Sequence, residues 1–247
     1  FHLLNLGNPE ALAWAKTTLS RLIGEWGIDI YRQDFNMYPL YCWINGEAED
    51  RQGMNEIRHI MGLYDLYDTL LREHPGLLID NCASGGRRID FEIMRRALSL
   101  FRSDHCWEPI SEQGMNYGIS FWVPITGLGG VVAAPYEFLS GTGSHMSLAL
   151  DYLNSPDVWE PASMMIRQWQ GIRHLFTADF YPLTPYSIDK DKWIAWQYHD
   201  ANTGEGIVQA FRRDACTSGD LIVIPRGISP TLTYTFGNPG TDSPKTV

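Results

Sequence analysis

Ile28-Asp29-Ile30-Tyr31-Arg32-Gln33-Asp34-Phe35-Asn36 is a strand-like apolar run that ends in a carboxylate, and the reading of this chain turns on it. Just upstream, Asn8-Pro9-Glu10 has the marks of a helix start: a capping side chain, a proline at the first position and an acid in the first turn. Apolar residues then recur at Leu12, Ala15, Leu19, Leu22, Ile23 and Trp26, one face of a helix that Gly27 closes. After a loop rich in Tyr and Trp from Met37 to Gly53, a second helical face is expected at Ile57, Ile60, Met61, Tyr64, Tyr67 and Leu71, with His74-Pro75-Gly76 as its break. Leu77-Leu78-Ile79-Asp80 reads as the next strand and opens into the glycine-rich loop Asn81-Cys82-Ala83-Ser84-Gly85-Gly86-Arg87-Arg88. A short helix over 90–97 and a third strand, Leu98 to Asp104, complete the pattern. Helices alternating with apolar strands imply a parallel sheet with helices outside, and the carboxyl ends of such strands converge on the rim where barrel enzymes do chemistry.

Further along, helices are expected near Gln113–Tyr117 and over 157–176, the latter with Met165, Trp169, Ile172 and Phe176 on one side. At Pro182-Leu183-Thr184-Pro185 the pattern changes to short alternating strands, Trp193–Tyr198, Gly206–Arg212, Leu221–Pro225 and Thr231–Phe236. We therefore divide the chain near 183–190, with residues 1–183 as part of a catalytic barrel and 184–247 as an antiparallel β domain. A complete eight-unit barrel takes about 250 residues. The expected architecture is α/β: the carboxyl-terminal half or more of a (β/α)8 TIM-type barrel, followed by a small, unfinished antiparallel β domain.

Composition narrows the function classes. The chain has 247 residues, 44% of them hydrophobic, and a formal charge of −10, which disfavours nucleic acid as a partner. No run approaches the roughly twenty apolar residues of a membrane span, and no basic-then-apolar leader is present. We expect no membrane partner and favour the cytoplasm over secretion, although a chain beginning at Phe1 leaves the compartment open. Cys42, Cys82, Cys106 and Cys216 form no C-x-x-C pair, so reduced, mostly buried thiols are expected rather than a disulfide framework or a zinc site. His59, His74, His174 and His199 show no metal-ligand spacing, and no metal is expected. Nine Trp and twelve Tyr are chiefly core material, but such rings are also platforms for sugar faces.

Hydrolysis of a glycosidic bond needs two carboxyl groups, one ionised beside the anomeric carbon and one protonated to donate to the leaving oxygen. Asp34 and Asp104, at two strand ends, are the candidate pair. A single strand-end Asp is ordinarily a helix cap or a loop former; the glycine loop between the two gives the pair its weight. Other readings are thinner. His145 in Gly-Ser-His could be a ligand or a base, Ser84 and Ser140 lack the context of a hydrolase elbow, and the loop 81–88 lacks the Gly-Lys-Ser/Thr ending of a phosphate cradle.

The segment Asp80-Asn81-Cys82-Ala83-Ser84-Gly85-Gly86-Arg87-Arg88-Ile89-Asp90 resembles the glycine-rich motif of the melibiase-type α-galactosidases, glycoside hydrolase family 36. Arg32-x-Asp34-x-Asn36 is similar to that family's Lys-Trp-Asp-x-Asn segment, and Arg102-Ser103-Asp104 to its Cys-Ser-Asp segment. Trp193 to Asp200, with Gly204-Glu205-Gly206 and Phe211-Arg212-Arg213, resembles its carboxyl-terminal β domain. The resemblance implies Asp34 as nucleophile and Asp104 as general acid/base of a retaining, double-displacement mechanism. It implies Arg32 and Asn36 as ligands of sugar hydroxyls, Cys82 near the 2-position, Gly85 and Gly86 for close backbone approach, and Arg88 to order the loop or touch substrate. Arg32 replaces the family's usual Lys, Gln33 its Trp, Arg102 its Cys, and His105 stands where Asn often follows. The early-barrel residues that grip the galactose 4- and 6-hydroxyls come from strands absent here, so the pocket of this chain is incomplete. The implied function is release of terminal α-galactose from α-galactoside oligosaccharides, with no metal or nucleotide cofactor and, by analogy alone, a homo-oligomer. The alternatives are an α-N-acetylgalactosaminidase or another α-glycosidase of the same clan, or an inactive sugar-binding fragment.

Overall fold

In the computed structural model, which describes residues 2–105, 108–127, 134–238 and 245–246, Asn8 caps helix α1 (Pro9–Trp26) as its side-chain oxygen accepts from the amides of Glu10 and Ala11 at 2.8 and 3.3 Å. Gly27 ends the helix with φ 62°, a left-handed conformation that favours glycine. Strand β1 (Ile30–Asp34) follows, then the short helix α2 (Leu40–Ile44), helix α3 (Met54–Glu73), strand β2 (Leu78–Cys82) and helix α4 (Phe91–Met94), capped by Asp90. β1 and β2 are parallel, in a register that sets Arg32 opposite Asp80 and Asp34 opposite Cys82. Contacts group residues 1–102 as one unit and 103–247 as another.

The core of the first unit lies where α1 and α3 cover β2: Ala15, Ile23, Leu63, Leu66, Tyr67, Leu70 and Ile79 are all buried. The buried stripe of α3 is the expected one only in part: Tyr67 is buried and Tyr64 and Leu71 pack against the core. Ile57 and Met61 are 56% and 60% exposed, and the inward face runs His59, Gly62–Leu63, Leu66–Tyr67, Leu70. A polar ring and a glycine sit on that face, because the backbone at Leu6 packs directly on Gly62 and the Leu6 amide donates to His59 Nδ1 at 3.4 Å. Counting apolar residues alone rotates the face away from them.

Among the described residues the expected third strand, ending near Asp104, is reduced to isolated bridge positions at Leu98 and Phe101. Leu98 bridges Asp80 in parallel, with its amide donating to Ile79 and its carbonyl accepting from Asn81, both at 2.8 Å. There the ladder stops, because side chains take the next backbone groups. Ser99 Oγ donates to the Asn81 carbonyl at 3.0 Å, and the Leu100 amide donates to the Asp80 carboxylate at 3.1 Å. The helix expected over 90–97 is likewise shortened to the single turn of α4.

The second unit holds α5 (Pro109–Ile119), α6 (Pro135–Gly141) and α7 (Trp159–Ile172), then the antiparallel strands β3 (Asp179–Pro182), β4 (Trp193–Asp200) and β5 (Glu205–Arg212) in the order β3-β4-β5. The helix expected over 157–176 is α7 flanked by the 3-10 turns Pro156–Val158 and Arg173–Thr177. β4 is buried along its length. Trp196, wholly buried, packs with Tyr117, Phe176, Tyr198 and Phe211, and its indole donates to Gln209 at 2.9 Å. Arg213 is buried, and each of its three guanidinium nitrogens has a partner inside the unit, Gln113 (3.1 Å) and the carbonyls of Asp189 and Ser187 (2.8 Å each). The strand expected at Leu221–Pro225 is absent among the described residues. Just past it, Gln197 of β4 bonds the Arg226 carbonyl (2.8 Å) and amide (2.9 Å) through its side-chain amide. Two short strands, β6 (Thr235–Phe236) and β7 (Lys245–Thr246), pair antiparallel.

Among the described residues no helix is long and apolar enough to cross a membrane. Cys42, Cys82 and Cys216 are free thiols; Cys106 lies outside the described residues.

Candidate active site

The carboxyl ends of β1 and β2, with the segments that follow them, carry seven of the eight expected site residues within one unit. Parallel pairing puts Arg32 and Asp80 side by side, and the Arg32 guanidinium forms an ion pair with the Asp80 carboxylate. Asp80 is almost enclosed, at 6% side-chain exposure, and its second oxygen accepts from the Leu100 amide. Removing Arg32 would leave the enclosed Asp80 carboxylate without its charge partner, whereas Arg32, 40% exposed, keeps access to water. The other Arg32 amino group lies 3.9 Å from Asp34, and the guanidinium sits 5.5 Å from the centre of the Phe101 ring. Arg32 is thus held from behind by Asp80 while it faces Asp34.

Asp34 is partly open, at 38% side-chain exposure. Burial pushes its carboxyl pKa up, but hydrogen bonds from Asn36, from the Cys82 thiol and from the Ser84 amide, with the charge of Arg32, outweigh burial and hold it below the usual carboxylate value. Burial pushes the Cys82 thiol up, so cysteine stays protonated and serves as a donor. Asn36 reaches across to the glycine loop, its side-chain oxygen accepting from the Ser84 amide at 3.0 Å and from Ser84 Oγ at 2.9 Å. The strand end and the loop are therefore one rigid assembly.

The two glycines are required for reasons internal to this assembly. Gly85 has φ 76°, following Ser84 at φ 50°, a turn closed by the Ala83 amide donating to the Gly85 carbonyl at 2.9 Å. A Cβ on Gly86 would come within 2.4 Å of the Arg102 carbonyl oxygen, so the loop lies against backbone that no side chain could share. Arg88 turns inward. Its guanidinium stacks 4.2 Å from the centre of the Phe35 ring, and burial lowers its pKa. Its geometry ties the residue after Asp34 to the loop.

Asp104 belongs to the second unit, exposed, on a bend where the His105 amide donates to Ser103 Oγ at 3.0 Å. The assembly around Asp34 thus holds Arg32, Asn36, Cys82, Gly85, Gly86 and Arg88, with Asp104 lying in the other unit. Sequence reasoning missed Asp80 and Ser84 as members. The signal for Asp80 was the strand alignment, since matching the start of β1 to that of β2 puts Arg32 opposite Asp80. A cavity of about 790 Å³ lies elsewhere, in the second unit against Phe138, Met165, Trp169 and His199. Its walls are mainly apolar, without the paired carboxylates that glycoside hydrolysis needs. Among the described residues no group of three or more His, Cys, Asp or Glu is placed to hold a metal.

The Melibiase family model matches residues 2–149. The α-galactosidase AgaA of Geobacillus stearothermophilus is 23% identical over 224 residues, which cover 85% of this chain and 30% of that protein. Of solved structures, the α-galactosidase from Lactobacillus brevis superposes with a TM-score of 0.83 at 19% identity, over 99% of this chain and 34% of that one. A variant of AgaA solved in complex with raffinose superposes at 0.74 and 18% identity, over 92% of this chain and 33% of its own. The fold described above is therefore shared with part of those enzymes, and the chain spans about a third of the length of the relatives it matches.

Proposed function

The chain belongs to the Melibiase family, and from that premise we propose that it is the catalytic portion of a retaining α-galactosidase that removes terminal α-linked galactose from oligosaccharides. Asp34 attacks the anomeric carbon and forms a glycosyl ester while Asp104 donates its proton to the departing oxygen; Asp104 then takes a proton from water, which opens the ester with net retention. The observation that carries this reading is the Asp34 carboxylate itself, at the carboxyl end of a parallel strand, held ionised by the hydrogen bonds of Asn36, Cys82 and the Ser84 amide and by Arg32. Arg32, fixed by Asp80, has donors left over for sugar hydroxyls, and Cys82 borders the same carboxylate. Arg88 serves as an ordering residue through Phe35. The raffinose complex of the AgaA variant supports an α-galactosyl oligosaccharide as the substrate class.

On this reading residues 1–183 are part of a (β/α)8 barrel and 184–247 begin an antiparallel β domain. The parallel β1–β2 pair in the first part and the antiparallel β4–β5 pair in the second support a change from barrel to β domain, and β3 (Asp179–Pro182), just before the boundary, already pairs with β4. The experiment is turnover of aryl α-galactoside, α-N-acetylgalactosaminide and α-glucoside by the full-length protein, beside Asp34→Ala and Asp104→Ala. The galactoside is expected to be the preferred substrate, with the Asp34 variant lowered ~1,000-fold or more. Preference for another sugar would overturn the substrate, and activity surviving both substitutions would overturn the site.

A further inference from the structure

Two residues past Asn36, Tyr38 stands out as a large aromatic side chain with 74% of its surface exposed, yet it is not loose. Arg87, from the glycine loop, donates a hydrogen bond to the Tyr38 hydroxyl at 3.0 Å, and its guanidinium lies 4.9 Å from the ring centre. Both partners spring from backbone already locked together, since Ser84 bonds Asn36 through its amide and its hydroxyl. The ring is thereby fixed from one side and open on the other. Nothing in the assembly around Asp34 needs this arrangement, and an exposed ring at the end of a loop is normally free to turn.

We propose that Tyr38 and Arg87 form the subsite for the leaving-group sugar, so that the protein acts on α-galactosides whose departing group is itself a sugar ring. Tyr38 lies four positions after Asp34, at most about 14 Å of extended chain, which is within reach of the second ring of a disaccharide seated at Asp34. A pyranose presents an apolar face of C–H groups to an aromatic ring, and its hydroxyls lie at the edge. The open face of Tyr38 suits the first and the remaining N–H donors of Arg87 suit the second. A ring held in place before substrate arrives loses little freedom on binding. The inference rests on the α-galactosidase reading and adds to it which half of the substrate this corner recognises.

The test compares two substrates that share the galactosyl group, a galactosyl-α-1,6-glucose disaccharide and α-galactosyl fluoride, whose leaving group has no ring. For both, kcat/KM reports formation of the same glycosyl ester. In the full-length protein, Tyr38→Ala and Arg87→Ala are expected to lower kcat/KM for the disaccharide about tenfold, the scale of one aromatic contact plus a hydrogen bond, and for the fluoride less than about twofold. Tyr38→Phe, which keeps the ring, retains most of the disaccharide activity. Equal losses on both substrates, or no loss on either, would overturn the subsite while leaving the α-galactosidase reading standing. Wild-type protein inert toward both substrates would overturn that reading and this inference with it.

Discussion

His59 sits 3% exposed on the inner face of α3, where burial, and then the charge of Arg88, drive its pKa down from 6.5 to about 4. The ring is neutral in the folded chain, and its Nδ1 accepts from the Leu6 amide. In the unfolded chain the same ring takes up a proton near 6.5. Below that value the unfolded state binds more protons than the folded one. Stability from this residue is therefore complete above about pH 6.5, declines as pH falls, and levels off below about 4. The gap between the two values is worth roughly 3 kcal/mol. Urea unfolding at pH 7.5 and 4.5 should show the wild type losing roughly that much more than His59→Leu over the same interval. Equal losses would contradict a buried, neutral His59. The same scale separates what the sequence disclosed at the site from what it hid. Asp34, Asn36 and the glycines were legible because a strand end and a tight loop leave a local mark, whereas Asp80 and Ser84 act through partners 48 residues away.

The packing of α3 turns on Gly62. Alanine in a helix interior is ordinarily favoured over glycine by about 1 kcal/mol, but here a Cβ would meet the Leu6 carbonyl oxygen at 2.1 Å and its carbon at 2.7 Å. Both are backbone atoms of a buried residue and cannot swing aside. Gly62→Ala should therefore lower stability by about 2 kcal/mol despite the better helix former, read as a lower urea midpoint at unchanged slope. A rise would mean that the segment at Leu6 is not seated on the helix. This contact also explains why α1 could be read to the residue and α3 could not. Asn8, Pro9 and Gly27 mark the limits of α1 within its own sequence, but the inward face of α3 is chosen by a glycine and a histidine that meet a distant piece of backbone. The shortened pairing after Leu98 has a related cause. Ser99 and Asp80 offer side-chain partners to backbone groups that would otherwise continue the ladder with β2, a competition that strand propensity does not register.

At the scale of the molecule, β1 pairs on one edge, with β2, among the described residues, and Ile30 and Leu78 are about half exposed, at 49% and 47%. Strands of a parallel sheet are normally covered on both faces, which accords with a chain spanning about a third of its relatives. The alternation of helix and strand was legible because each unit carries its own period and punctuation. The account stands on Asp34 as the nucleophile. The most direct measurement is incubation of the full-length protein with 5-fluoro-α-galactosyl fluoride, which forms the glycosyl ester faster than it loses it, followed by mass spectrometry of the digest. The account predicts one added fluorogalactosyl group, on the peptide containing Asp34 and on that side chain. A label on Asp80 or Asp104, or hydrolysis with inversion and no labelled protein, would contradict it.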